Sequence, residues 1–511
     1  MAVCLLLLAA CAPEPHGAAG DLRLAFAQSS LDGPCPETAT TPAPPPSLER
    51  LRLSLWRADG KLHERADLRL GPGEVVEWKA SPGENLILQA VGVVGGAETH
   101  LAHAGGIDLD AGRPAQVDLF FTPVSSVGCA ARPLSSGRAF AAGELLLDGR
   151  VVVAGGADRV FAVPGCAGCL ELAASAAADI FEPGTGSIYP TARLHQPRLL
   201  ASATPLANGN LLVIGGTSRL RLEPGLWPLR VDPADLVPSF EVYLFAEDRW
   251  IEKPLPSGRV FHSATLLSDG RVLIAGGGTE PAQATVETLV YDPSIESAGD
   301  VRPFQYPLHA ARLSHRAVPI SSNRVLFVGG AAGTPAAEVF DPARSGDPFV
   351  DLNFSGADAN LFFFEAAPIP GRADEILLAG GGLWDGAGLA APAAENVRVL
   401  SIGRAEAKVG PAMPAGRWLP AVLPLSDRRL VLAGGLAGDD VAPLAGILIF
   451  DPTADSLSPL EDGGKAVSLG AARAGAAAVP VLGRAVLLGG LGEGEPLASG
   501  EVIAGRPWDV P

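Results

Sequence analysis

Arginine recurs in the second half of the chain at a fixed distance before paired glycines. Counting back 17 positions from the first glycine of each pair reaches Arg138, Arg198, Arg259, Arg312 and Arg417. Arg473 stands at 16, and one repeat has Phe363 at this register. Six repeats also carry a carboxylate soon after the glycines: Asp179, Glu241, Glu287, Glu338, Glu395 and Glu501. One arginine and one acid per repeat predict a structural ion pair, because a guanidinium buried between strands requires a partner that matches its planar fork. The alternative chemistry for the same set is an anion or sugar-acid site. His262 and His315 share a second register, three after their arginines, where other repeats hold Ala or Pro. A metal would need a third ligand, so both are expected to be satisfied polar residues on an inner strand.

The elements that position these residues follow from the glycines. Seven pairs, beginning at Gly155, Gly215, Gly276, Gly329, Gly380, Gly434 and Gly489, are spaced by 60, 61, 53, 51, 54 and 55 residues. Such a period marks stacked or circular units. Each pair ends a short apolar strand, as in VVVAGG, LLVIGG and VLIAGG, and Asp148-Gly149, Asn208-Gly209 and Asp269-Gly270 supply two-residue hairpin turns ahead of it. A third strand closes with aromatic-acid-proline, as in Phe181-Glu182-Pro183 and Tyr291-Asp292-Pro293, and Arg249 to Pro254 suggests a fourth. Four strands per repeat with a diglycine at the second resembles the kelch repeat, which implies an all-β, seven-bladed β-propeller over residues 126–511. It is similar to the galactose-oxidase-like propellers but not to their oxidases. Their copper needs Tyr and His with a cysteine crosslinked to tyrosine, and only Tyr189, Tyr243, Tyr291 and Tyr306 exist here. The kelch tryptophan survives most clearly as Trp250. The last repeat ends on its third strand, Gly500 to Ile503, while a spare strand at Cys129 to Leu134 precedes the first, so the chain's two ends should complete one blade.

Loops joining strands two and three share a face with the arginine ends of the inner strands. Long insertions there, 157–177, 217–239 and 382–394, carry Arg219, Arg221, Trp227, Arg230, Trp384 and Asp385. Arginine and aromatic residues on loops of a rigid scaffold suit a recognition surface. The competing expectation is that Trp227 and Trp384 pack their own loops. His262 and His315 are further candidates for this face.

Ahead of the repeats, residues 20–124 alternate apolar and polar in Asp21 to Gln28 and Leu48 to Arg57, with further strand-like runs, so a small antiparallel β-sandwich is expected. Residues 1–11 form an apolar run that reads as a signal peptide, and 12–19 as a tether. Leu8-Ala9-Ala10-Cys11 resembles the lipobox of bacterial lipoproteins, which implies acylation at Cys11, a membrane contact through the lipid, and an outer-membrane or cell-surface address. Four other cysteines then remain, and an oxidising compartment would pair Cys166 with Cys169 and Cys35 with Cys129.

The chain holds 62 Gly and 46 Pro in 511 residues, which favours turns over helices. A formal charge of -18 with scattered Lys and Arg argues against nucleic acid. No catalytic residue, metal or cofactor is assigned: the sequence holds no P-loop, nucleophile elbow, HExxH or sialidase Asp-box. The expectation is a monomeric cell-envelope binding protein that recognises a protein or glycan with its long-loop face. The alternative is a propeller enzyme, a carbohydrate isomerase or lyase, working at the channel mouth.

Overall fold

The computed structural model describes residues 20–28, 48–57, 61–70, 76–110, 113–224, 228–296, 298–331, 333–384, 396–438 and 442–507. The signal segment, the tether, Cys11, Cys35, Trp227, Asp385 and Glu395 lie outside them. Among the described residues no helix is long and apolar enough to cross a membrane.

The first region folds as seven strands: β1 (Gly20–Gln28), β2 (Arg50–Trp56), β3 (Leu62–Arg69), β4 (Val76–Ala80), β5 (Gly83–Val94), β6 (Ala97–Leu109) and β7 (Ala115–Pro123). They hydrogen-bond in the order β3-β2-β5-β6-β7-β1-β4 around a core that includes Leu51, Leu53, Leu88 and Phe121. The sheet is mixed rather than antiparallel, because β1 runs parallel to β7, Leu24 opposite Val117. A parallel neighbour needs a long crossover, and β2 to β6 together provide it.

After it comes β8 (Ser126–Cys129), followed by the repeats, which form a series of four-stranded antiparallel sheets of the β-propeller type, the fifth with an added parallel strand at Ser355–Gly356. In the second, Ser202–Pro205, Leu211–Ile214, Ser239–Leu244 and Arg249–Pro254 pair in chain order. The second strands are continuous apolar runs because both faces are covered: Leu211, Leu212, Val213 and Ile214 have no exposure. Adjacent sheets pack through these faces, so Ile214 and Phe240 share one cluster with Val272, Ile274 and Tyr291 of the next repeat. Each such side chain contributes about 1.5–3 kcal/mol on burial.

The diglycines connect neighbouring sheets. A Cβ at Gly215 (φ +60°) would lie 2.5 Å from the carbonyl oxygen of Arg259, so only glycine admits the next repeat's backbone this close. The second glycine then donates to that carbonyl, Gly216 N to Arg259 O at 2.9 Å and Gly156 N to Arg198 O at 2.8 Å. At the other end of the series Gly490 N donates to Arg138 O at 2.7 Å, and Gly500–Ala504 pairs with β8, Glu501 opposite Cys129. The spare strand therefore lies three residues earlier than the sequence suggests.

The first region docks on the first and last of these sheets. Phe120 of β7 shares a cluster with Val151, Phe181 and Val486. The buried Arg484 donates to Phe120 O at 2.9 Å and to Pro183 O at 3.3 Å.

Candidate functional site

Each arginine of the series stands four residues before an inner strand and places its guanidinium against the carbonyl of the first glycine in its own repeat's pair or, for Arg138, against that of Ala177 next to the third strand. Arg198 donates from Nη1 to Gly215 O and Ser239 O, and from Nη2 to Ser239 Oγ and Glu241 Oε1, all at 2.8–2.9 Å. Glu241 is held from behind by His195 N at 2.8 Å and Gln196 N at 3.1 Å. Arg312 with Glu338, Arg138 with Asp179, Arg259 with Glu287 and Arg473 with Glu501 repeat the pairing. Burial pulls the pKa values of Arg198, Arg259 and Arg312 down and their carboxylates oppose it. These five arginines have at most 3% exposure and each is ion-paired within the protein, while the Nε atoms of Arg138, Arg198, Arg259 and Arg473 are buried without a hydrogen-bond partner.

Two positions differ from the sequence reading. In the fifth repeat the carbonyl that accepts from Gly330 N belongs to Leu361 and not to Phe363, so Leu361 holds the arginine register. The inner hairpin there is longer, Leu361–Pro368 against Glu375–Leu383, and a fixed count overshoots by two residues. Phe363 instead belongs to a series the sequence reading missed. Phe140, Leu200, Phe261, Ser314 and Leu419, each two residues past an arginine, share its positive φ of +48° to +56°. The other departure is Arg417, which has no carboxylate partner among the described residues and donates only to Gly434 O and Gly446 O.

The residues with positive φ converge on the centre. Leu200 N donates to Phe140 O, Ser314 N to Phe261 O and Leu419 N to Phe363 O. They line one end of a central cavity of about 350 Å³, whose wall includes Ala141, Ser202, His262, Arg316, Glu365 and Ala476. Arg316 and Glu365 pair across that wall at 2.9 Å.

His315 is buried, and His262 is half-buried on the wall of the central cavity rather than on the face that carries the charged groove. His262 Nε2 lies 2.9 Å from Ser202 Oγ, and His315 Nε2 lies 2.8 Å from Ser263 Oγ, each bridging to the previous repeat. Burial, reinforced by Arg259, lowers the His262 pKa to about 3, and burial with Arg312 holds His315 well below the imidazole range. Both rings are neutral near pH 7.

The first two insertions fold into one four-stranded sheet shared between repeats: Ala157–Ala162, Leu170–Ala174, Arg219–Leu222 and Leu229–Arg230. Strict alternation drives it. Leu172, Leu220, Leu222 and Leu229 are fully buried against Leu199, Val260, Leu313, Phe362 and Trp418, so this sheet roofs the centre. Trp384 packs into the same cluster, its ring 6.3 Å from that of Phe362, and so serves its loop rather than a free surface. The other face carries Glu171, Arg219, Arg221 and Arg230. Arg221 and Arg230 stand directly opposite one another, and Glu223 relieves their repulsion, ion-paired with Arg221 at 2.8 Å and accepting from Arg230 at 3.1 Å. Arg219 pairs with Glu171 at 2.9 Å. With Asp232 they line an open groove of about 420 Å³. Cys166 and Cys169 are disulfide-bonded at the tip of the first hairpin. Cys129 is disulfide-bonded as well.

No family model matches the chain, and no curated protein matches it. Among solved structures, a fungal alcohol oxidase of the AA5 family, in complex with copper, is similar at 17% identity over 60% of this chain and 74% of that one, with a TM-score of 0.38. Among the described residues here, no group of three or more His, Cys, Asp or Glu is placed to hold a metal. The Tyr243 hydroxyl is hydrogen-bonded with Thr191 and donates to Asp248.

Proposed function

We propose that the chain is a cell-envelope binding protein: a signal segment lipidated at Cys11, a sandwich over 20–124, and a closed, seven-bladed kelch-like propeller over 126–511 that recognises a protein or glycan with its long-loop face. The observation that carries the reading is the sheet built from two insertions, whose apolar side is buried on the centre while its charged side is left to solvent. An ordered, charged groove on a rigid base is a preorganised recognition surface. The Gly490 to Arg138 bond and the pairing of Gly500–Ala504 with β8 support a closed ring. A carbohydrate isomerase or lyase would need unpaired arginine and histidine at a deep mouth. The paired arginines, the serine-bound histidines and the apolar roof weigh against it.

The test is a glycan array and a crosslinking pull-down with envelope extract, run on the wild type, the double variant Arg221→Ala/Arg230→Ala, and Asp269→Ala in a hairpin turn. The groove variant should lose every specific signal and the turn variant none. Equal binding by all three would sink the proposal. Mass spectrometry of the mature N-terminus, with Cys11→Ala as control, tests the anchor.

A further inference from the structure

The sixth repeat lacks what five others have. In the first, second, fourth and seventh repeats the acid that meets the arginine lies two positions into the third strand, opposite the residue two before the glycine pair: Asp179 opposite Val153, Glu241 opposite Val213, Glu338 opposite Phe327 and Glu501 opposite Leu487. In the sixth, the residue opposite Leu432 is Leu448. Two positions earlier, Ser239 and Ser499 give their hydroxyls to Arg198 and Arg473, and Glu287 gives its carboxylate to Arg259. The corresponding residue in the sixth repeat is Gly446. A Cβ placed there would meet only Arg417 Nη2, at 3.7 Å, with open space otherwise.

Arg417 is 4% exposed, its Nη1 is used by two carbonyls, and Nη2 makes no hydrogen bond among the described residues. Of its nitrogens only Nε is both sealed from solvent and unpartnered, so Nη2 faces the opening beside Gly446. The backbone around it matches. In the second, fourth and seventh repeats the amides three and two residues before the arginine both hold the acid. Here those positions are Pro414, which has no N–H, and Ala415, which is exposed and whose N–H bonds nothing among the described residues. A cation, one amide and a vacant side-chain position replace a complete carboxylate receptor.

We propose that Arg417, with the Ala415 amide and the notch left by Gly446, is a binding site on the long-loop face for a single carboxylate supplied by a ligand. A carboxylate fits better than a larger dianion because the third repeat places the Glu287 carboxylate at the register of Gly446, where Arg259 and the Ser257 hydroxyl hold one group. The site stands apart from the charged groove and does not depend on it.

Acetate is the probe. At matched ionic strength, replacing chloride by 200 mM acetate should raise the wild-type Tm by about 1 °C or more, as a ligand of the folded state does. Leu448→Glu rebuilds the missing acid and should abolish the acetate effect. Gly446→Ser supplies the hydroxyl that Ser239 and Ser499 supply elsewhere and should reduce the effect at least twofold, and it remains informative if the glutamate variant does not fold. No acetate effect in the wild type, or an equal effect in wild type and Gly446→Ser, overturns the site. Loss of groove binding with an intact acetate effect would overturn the recognition proposal and leave this one standing.

Discussion

Arg312 reaches Glu338 through two nitrogens, Nε at 3.1 Å and Nη2 at 2.6 Å, that converge on the same oxygen, and neither side chain has any solvent exposure. Removing one partner strands a buried charge, which costs about 3–5 kcal/mol, while replacing both by apolar groups of similar volume is close to neutral. Glu338→Ala should therefore lower the urea midpoint strongly, and Arg312→Met/Glu338→Leu should recover most of the loss. A double variant as unstable as the single one would show that the pair does more than satisfy itself.

The interior histidines set the acid limb of stability. His262 has a folded pKa of about 3 and an unfolded value near 6.5, so below pH 6.5 the unfolded chain binds more protons than the folded one. Stability is complete above that point and falls as pH drops towards 3, by up to about 1.4 kcal/mol per pH unit for this ring. His262→Gln should flatten the fall in chemical denaturation between pH 6 and 4; an unchanged slope would refute the assignment.

His309 acts with the opposite sign. Its ring lies between Asp347 at 2.9 Å and Asp351, and these carboxylates raise its pKa above the ordinary value. Its contribution is present below the unfolded pKa of about 6.5 and is lost as pH rises through the folded one. His309→Asn should lower stability at pH 6 and leave it unchanged at pH 9, where the ring is neutral in both states.

Arg484 ties the first region to the last repeat through the Phe120 carbonyl and the first repeat to the last through the Pro183 carbonyl, with its own pKa lowered by burial to about 10. Arg484→Met keeps the stem and removes both charged hydrogen bonds, each worth about 1.5–3 kcal/mol. Calorimetry should show one cooperative transition in the wild type and two in the variant. A single transition in both would place the coupling in Phe120 alone.

In the tight turn between Arg316–Ile320 and Arg324–Val328, Ser322 has φ +61°. Ser322→Gly should relieve the left-handed strain and stabilise the protein by about 0.5–1 kcal/mol, read as a small rise in Tm.

Much of this architecture was legible because it repeats. Gly215 and Gly276 mark the same structural event, and one arginine register locates five ion pairs, four of them buried on both sides. What stayed hidden arises where repeats differ. The count of 17 failed at Phe363 because a hairpin two residues longer preserves hydrogen bonding while it breaks sequence spacing. Arg417 looks like its siblings in sequence, and only the pairing of Leu448 with Leu432 shows that its acid is missing. The roofing sheet joins segments of two repeats, so neither insertion alone reveals that Leu172 and Leu220 are neighbours. His262 was assigned to an inner strand from its register, but its serine partner lies in a different repeat and no local pattern points there.

The pairing of β8 with Gly500–Ala504 also fixes an order of events during synthesis. β8 leaves the ribosome before any repeat, yet its partner strand follows all seven diglycines. Until Gly500–Ala504 is made, the edge of β8 lacks this hydrogen-bonding mate, and such an edge is a template for mispairing with other chains. Gly500–Ala504 therefore acts as a quality checkpoint: a chain cut short of Gly500 keeps every repeat signature and still presents an open edge.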